Sequence, residues 1–160
     1  MKLEPSRVDP SGESLPISQG PVMRPLKVLI LEDNPFQLMV LHQMLNTFRI
    51  FDVLVAENLD SARRSLAQRG AIDVAICDLY VEGLTGLDLI RELAARREAS
   101  ALIILSCAAP HIVEKAVRTA RSEGLRVLGC LAKPVTVNGL GQLLDAYRSI
   151  GAYASDGGAN

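Results

Sequence analysis

Five short apolar runs, each followed by a stretch with helical spacing, constrain this chain more than any other feature. The runs are Lys27 to Leu31, Phe51 to Ala56, Val74 to Cys77, Ala101 to Leu105 and Val127 to Leu131. The first after Lys27, the third and the fourth are apolar throughout. Such a run reads as a strand covered on both faces, the kind found inside a parallel sheet. Between them, apolar residues recur at i, i+3 and i+4. Leu38, Leu41, His42, Leu45 and Phe48 form one stripe; Leu59, Ala62 and Leu66 form the second. Leu87, Ile90, Leu93 and Ala94 follow, then Ile112, Ala116 and Ala120, then Leu140, Leu143, Leu144 and Tyr147. Asn34 is a good N-cap for the first helix, and Pro35 suits its first position because that N–H has no intrahelical partner. Asn58 or Asp60 can cap the second helix, and Pro110 can open the fourth. Gly139 and Gly141 weaken the first turn of the last helix by roughly 1 kcal/mol each relative to Ala.

Strict strand–helix alternation predicts an α/β fold. It is a doubly wound, five-stranded parallel sheet with helices on both faces. The strand order 2-1-3-4-5 suits five such units, and the order 3-2-1-4-5 stays open on pattern alone. The chain has 160 residues, enough for one domain with a good core. That domain spans residues 26–149. Residues 1–25, rich in proline and serine, read as a flexible leader, and residues 150–160 as a disordered tail.

Charge and cysteine content exclude several function classes. Lys plus Arg number 17 against 18 Asp plus Glu, for a net charge of −1. A nucleic-acid partner would call for a basic face, and none is legible. The three cysteines, Cys77, Cys107 and Cys130, lie in or beside apolar runs and read as reduced core residues of a cytoplasmic protein. No run reaches transmembrane length.

The chemistry collects at the carboxyl ends of the strands, where open α/β sheets bind ligands. The first strand ends in Glu32 and Asp33, the third in Asp78, the fourth in Ser106 and the fifth in Lys133. In the order 2-1-3-4-5 these share one rim. Three neighbouring carboxylates raise one another's pKa unless a cation sits among them. Hard oxygen donors in small number suit Mg²⁺, which keeps several waters and favours phosphate oxygens. Lys133 adds a positive charge and Ser106 a hydroxyl donor. Together these groups can hold a phosphoryl group on Asp78. Taken singly, each residue has a plainer reading: Asp33 or Asp78 as a turn carboxylate, Ser106 as a helix-entry residue, Lys133 as a surface lysine.

The chain resembles the receiver domain of bacterial two-component response regulators, the CheY-like fold. The matching residues are Glu32-Asp33, Asp78, Gly86 eight residues later, Ser106, and Lys133-Pro134. The resemblance implies phosphorylation of Asp78 by a histidine kinase or histidine phosphotransfer protein, with Mg²⁺ required. It implies direct metal binding by Asp33, Asp78 and the Tyr80 backbone carbonyl, and water-mediated binding by Glu32. It also implies phosphoryl contacts from Ser106 and Lys133, and a cis bond before Pro134. The stretches Glu32-Asp33-Asn34-Pro35-Phe36-Gln37 and Ala75-Ile76-Cys77-Asp78-Leu79 are similar to receivers that precede EAL cyclic-di-GMP phosphodiesterase domains.

The family's aromatic switch residue stands three before the lysine, where this chain has Cys130. The expected consequence is that phosphorylation acts through Ser106 and the face of the fourth helix rather than through a rotating ring. It also keeps a second function in view, an atypical receiver that binds partners without phosphate. An enzyme is a poor match, since no Gly-x-Gly-x-x-Gly, Walker A or Gly-x-Ser-x-Gly pattern is present. A downstream effector or output domain is an expected partner, and so is a second copy through the last two helices and fifth strand. His42 reads as a partly buried packing residue. Cys107 reads as core filling beside Ser106, and the pairs Arg63-Arg64 and Arg96-Arg97 as solvated helix faces.

Overall fold

The computed structural model describes residues 25–81, 84–106 and 109–158. The leader falls almost wholly outside the described residues, and so does Cys107. Five strands form one parallel sheet: β1 (Lys27–Leu31), β2 (Asp52–Ala56), β3 (Ile72–Asp78), β6 (Ala99–Ser106) and β7 (Arg126–Ala132). Their order, β2-β1-β3-β6-β7, is 2-1-3-4-5 counted along the sheet strands. A two-stranded antiparallel pair, β4 (Tyr80–Val81) and β5 (Leu84–Thr85), follows β3. The sequence pattern does not announce it, because each arm has only two residues.

The five helices divide between the two faces. On one side α1 (Pro35–Thr47) and α5 (Val137–Gly158) cover the sheet, burying Leu38, Leu41, Leu45, Leu140 and Leu144 against Val28, Ile30, Val74, Ile76 and Ile103. On the other side lie α2 (Leu59–Arg69), α3 (Leu87–Ala95) and α4 (Pro110–Ser122). They bury Leu66, Ile90, Leu93, Ala116 and Ala120 against Leu29, Ala75, Leu102 and Ile104. Every residue of β3 is buried, as the apolar run requires of a central strand. Each fully buried Leu or Ile stabilises the fold by about 1.5–3 kcal/mol.

Local signals behave as the residues dictate. Asn34 Oδ1 accepts from the backbone N–H of Phe36 and Gln37, with Pro35 at the first helical position. Asn58, not Asp60, caps α2 in a reciprocal capping box with Ser61. Arg63 is exposed and pairs across α2–α3 with Glu92 at 2.7 Å. His42 is half-buried on α1.

Two expectations need correction. Cys130 is exposed, not core, because β7 is the last strand of the sheet and has a neighbour on one side only. Cys77, on the central strand, is buried, and burial together with the Asp78 charge pushes its thiol up to about 12. The stretch 150–160, read as a disordered tail, instead continues α5, whose backbone is helical to Gly158. The stretch contains no proline, and once α5 is nucleated each further residue adds a backbone hydrogen bond, with Ala152 and Ala154 offsetting the cost of Gly151. No helix among the described residues is long and apolar enough to cross a membrane.

Candidate functional site

Pairing register brings the strand ends level. Leu31 of β1 stands opposite Cys77, so Glu32 follows abreast of Asp78; its N–H continues the ladder to the Ala56 carbonyl at 3.0 Å. Asp78 pairs with Leu105, and Ser106 pairs with Ala132, the residue before Lys133. Asp78 is 5% exposed and Glu32 fully buried.

The side chains meet. Carboxylate oxygens of Glu32, Asp33 and Asp78 lie within 4.8 Å of one another. The Lys133 ammonium donates to Asp78 Oδ2 at 2.5 Å and sits 2.8 Å from Glu32 Oε1. Asp78 Oδ1 accepts the Tyr80 N–H at 3.0 Å, and Glu32 Oε2 accepts the Asn34 N–H at 3.1 Å. The Tyr80 peptide is thereby fixed against Asp78, at the turn into β4. The Lys133–Pro134 bond is cis. Ser106, at the end of β6, is half-buried.

Lys133 is not the exposed strand-end lysine that its position in the sequence suggests. Its side chain is only 14% exposed, because Glu32 and Asp78 draw it over the ends of β1 and β3. Burial alone would lower its pKa; the hydrogen bonds to Asp78 and Glu32 outweigh that and raise it. For Glu32, burial dominates and the Asp78 charge adds to it. They raise its pKa despite the Lys133 and Asn34 hydrogen bonds. The donor set fits a small divalent cation. All three side chains are hard oxygen donors, and one ammonium offsets only one of their charges in a partly desolvated rim.

Gly86 has a role that its place eight residues after Asp78 only hints at. A Cβ there would stand 2.9 Å from the Asp78 carbonyl oxygen, and the Gly86 N–H donates to the Leu79 carbonyl at 2.6 Å. The loop into α3 therefore packs directly against the backbone that carries Asp78. What the sequence reading missed is on α1. From Pro35 to Thr47 there is no Asp, Glu, Lys or Arg, yet Phe36 and Met39 are 67% and 48% exposed. An apolar residue spacing shows only the inward stripe; an uncharged outward face is visible as the absence of charge across the whole helix.

The sequence model of the response regulator receiver domain matches residues 28–145. The chain belongs to the response regulator receiver family. Among curated proteins this receiver is 32% identical over 127 residues to the cyclic di-GMP phosphodiesterase RocR of Pseudomonas aeruginosa, covering 79% of the chain and 32% of RocR. It is 28% identical over 143 residues to the sensor protein TorS of Escherichia coli, covering 89% of the chain and 15% of TorS. The receiver thus spans a third or less of these relatives. Among solved structures, a response regulator from Colwellia psychrerythraea matches with a TM-score of 0.64 at 22% identity, covering 79% of this chain and 99% of that one. The signal receiver domain of an HD domain-containing protein from Pseudomonas fluorescens matches at 0.68 and 19% identity, covering 79% and 96%. These share its fold.

Proposed function

We propose that this receiver accepts a phosphoryl group on Asp78 from the phosphohistidine of a histidine kinase or histidine phosphotransfer protein, and signals by protein–protein contact. The observation that carries the reading is the setting of Asp78. It is a strand-end carboxylate held by the Tyr80 N–H and the Lys133 ammonium, with Glu32 and Asp33 within metal-sharing distance. In the transfer, an Asp78 carboxylate oxygen attacks phosphorus, the P–N bond breaks, and its electron pair leaves with the imidazole. Lys133 moves from pairing carboxylates to pairing the transferred oxygens, and the Ser106 hydroxyl donates to one of them. Bound through Asp33, Asp78 and the Tyr80 carbonyl, with Glu32 acting through water, Mg²⁺ would neutralise charge on those oxygens. The phosphoryl chemistry is confined to the chain's own Asp78, and the cytoplasm, where phosphohistidine donors and free Mg²⁺ meet it, is the proposed compartment.

Incubation with acetyl phosphate and Mg²⁺ tests this. The expected result is a base-labile mass gain of one phosphoryl group, absent in Asp78→Ala and without Mg²⁺. No gain in the wild type, at any Mg²⁺ concentration that stabilises the fold, would favour a second reading, a receiver that binds partners without phosphate. One residue supports that alternative. Cys130 stands, exposed on the edge strand β7, where the family carries an aromatic switch.

The uncharged outer face of α1 is the proposed seat of the phosphodonor protein, because Phe36 follows directly from the Glu32–Pro35 rim. Phe36→Glu is expected to slow transfer from a phosphorylated phosphotransfer protein by roughly tenfold or more, as loss of an aromatic anchor does. The rate with acetyl phosphate should not change, since a small donor needs no docking surface. An acid in the first turn of a helix is favourable, so the variant should fold. Equal slowing with both donors would place Phe36 in the site itself. The output face is proposed to be α4, β7 and α5, which an effector or a second copy would cover.

A further inference from the structure

We propose that the groove at the amino end of β7 binds an acidic segment of a protein partner, with carboxylates over Arg121 and Arg126 and one apolar side chain against Leu128 and Ala146. The inference rests on the reading of α4, β7 and α5 as the output face and names the chemistry of what that face takes. β7 is the one strand of the sheet with no buried residue, and it stands at the end of the strand order. Beside it lies a cavity of about 530 Å³, walled by Arg121 of α4 and Ala146 of α5, with Arg126 to Leu128 of β7 as its floor.

Charge selects the occupant. Both ionisable residues lining the cavity are arginines, and no carboxylate lines it, on a chain whose net charge is −1. Two guanidiniums with no acid between them attract carboxylates and repel basic segments. Beyond Arg126 the floor is apolar, and its shape has a structural reason. Leu102 pairs with Val127 and Ile103 with Gly129, so Leu128 is the extra residue of a bulge and drops out of the ladder. Gly129 admits α5 closely, since a Cβ there would stand 2.9 Å from Leu143 Cδ2. The bulge also decides the mode. It breaks the edge that an added strand would need, so the segment binds through side chains rather than by extending the sheet.

The test is an NMR titration of the full chain with a capped hexapeptide, Gly-Glu-Leu-Glu-Glu-Gly, and with its lysine counterpart, Gly-Lys-Leu-Lys-Lys-Gly. Saturable amide shifts are expected at Arg121 and at Arg126 to Leu128 with the acidic peptide only, weakening with added salt. In Arg121→Glu/Arg126→Glu, whose substituted side chains are exposed, the affinity should fall about tenfold or more. The proposal is overturned by the absence of saturable shifts there, by equal binding of the lysine peptide, or by unchanged affinity in a variant whose spectrum is otherwise intact. Concentration-dependent shifts at the same residues without peptide, lost in the variant, would give the groove to a second copy and overturn it too. Beryllofluoride added alone should shift Asp78 and Ser106. That response reports the phosphoryl-acceptor reading separately, so failure of one is not mistaken for failure of the other.

Discussion

Lys133→Ala is expected to lower the melting temperature of the metal-free protein substantially and to leave Mg²⁺ able to recover part of the loss. The lysine is 14% exposed and pairs with carboxylates that are fully buried or nearly so, Glu32 at 2.8 Å and Asp78 at 2.5 Å. Removing one partner of a buried ion pair leaves the other charges uncompensated, at a cost of about 2–4 kcal/mol here, with the lower end applying if Glu32 takes up a proton. Each kcal/mol moves the melting point by roughly 2–4 °C in a chain of this size. The sign with pH follows from the pKa directions. Lys133 is raised, so its contribution is full below its ordinary value of 10.5 and is lost as pH rises through the folded value. Glu32 is raised chiefly by burial, so its ionised form costs stability above its folded pKa. Glu32→Gln should therefore have the opposite effect and stabilise the metal-free protein at neutral pH. Differential scanning fluorimetry of both variants in EDTA reads this directly. Equal destabilisation by the two would mean that the Glu32–Lys133 pairing, not the burial of Glu32, sets the balance.

Asp33→Asn should remove most of the Mg²⁺ affinity. Of the three carboxylates that come within 4.8 Å of one another, Asp33 is the half-buried one, so it is the most open of them to an ion arriving from solvent. Loss of an outer partner of a metal ligand already costs 10–100-fold, so loss of a direct ligand should cost on the order of 100-fold. Linkage makes the effect visible in stability. At a Mg²⁺ concentration 100 times the wild-type Kd, the wild type gains about 2.7 kcal/mol, whereas a 100-fold weaker variant gains about 0.4 kcal/mol. Binding in both should weaken as pH falls through the raised pKa of Glu32, because protonation removes a donor. Titration calorimetry that finds equal affinity in Asp33→Asn would put the ion elsewhere on the rim.

The parts of this receiver that the sequence by itself determined are those set within a few residues. Val74 to Asp78 is apolar and then acidic, so a buried strand ending in a carboxylate needs no distant partner to be recognised. Asn34-Pro35 places the start of α1 because Asn34 accepts the Phe36 and Gln37 N–H groups and Pro35 has no N–H to leave unpaired. The same locality made Glu32, Asp33, Asp78, Ser106 and Lys133 legible as strand-end residues.

Tertiary structure decided which strands are neighbours. Parallel pairing joins residues far apart in the chain, such as Leu31 with Cys77, and the apolar runs are alike enough to allow either strand order. From that order follow the exposure of Cys130 on an edge strand and the burial of Lys133, drawn in by carboxylates 55 and more residues away. The same holds for Asp73, whose buried carboxylate accepts the Tyr147 hydroxyl across 74 residues and the Lys27 N–H across 46. A lysine reads as a surface residue until the sheet sets two buried acids beside it, because burial and charge pairing belong to positions in space and not to positions in the chain.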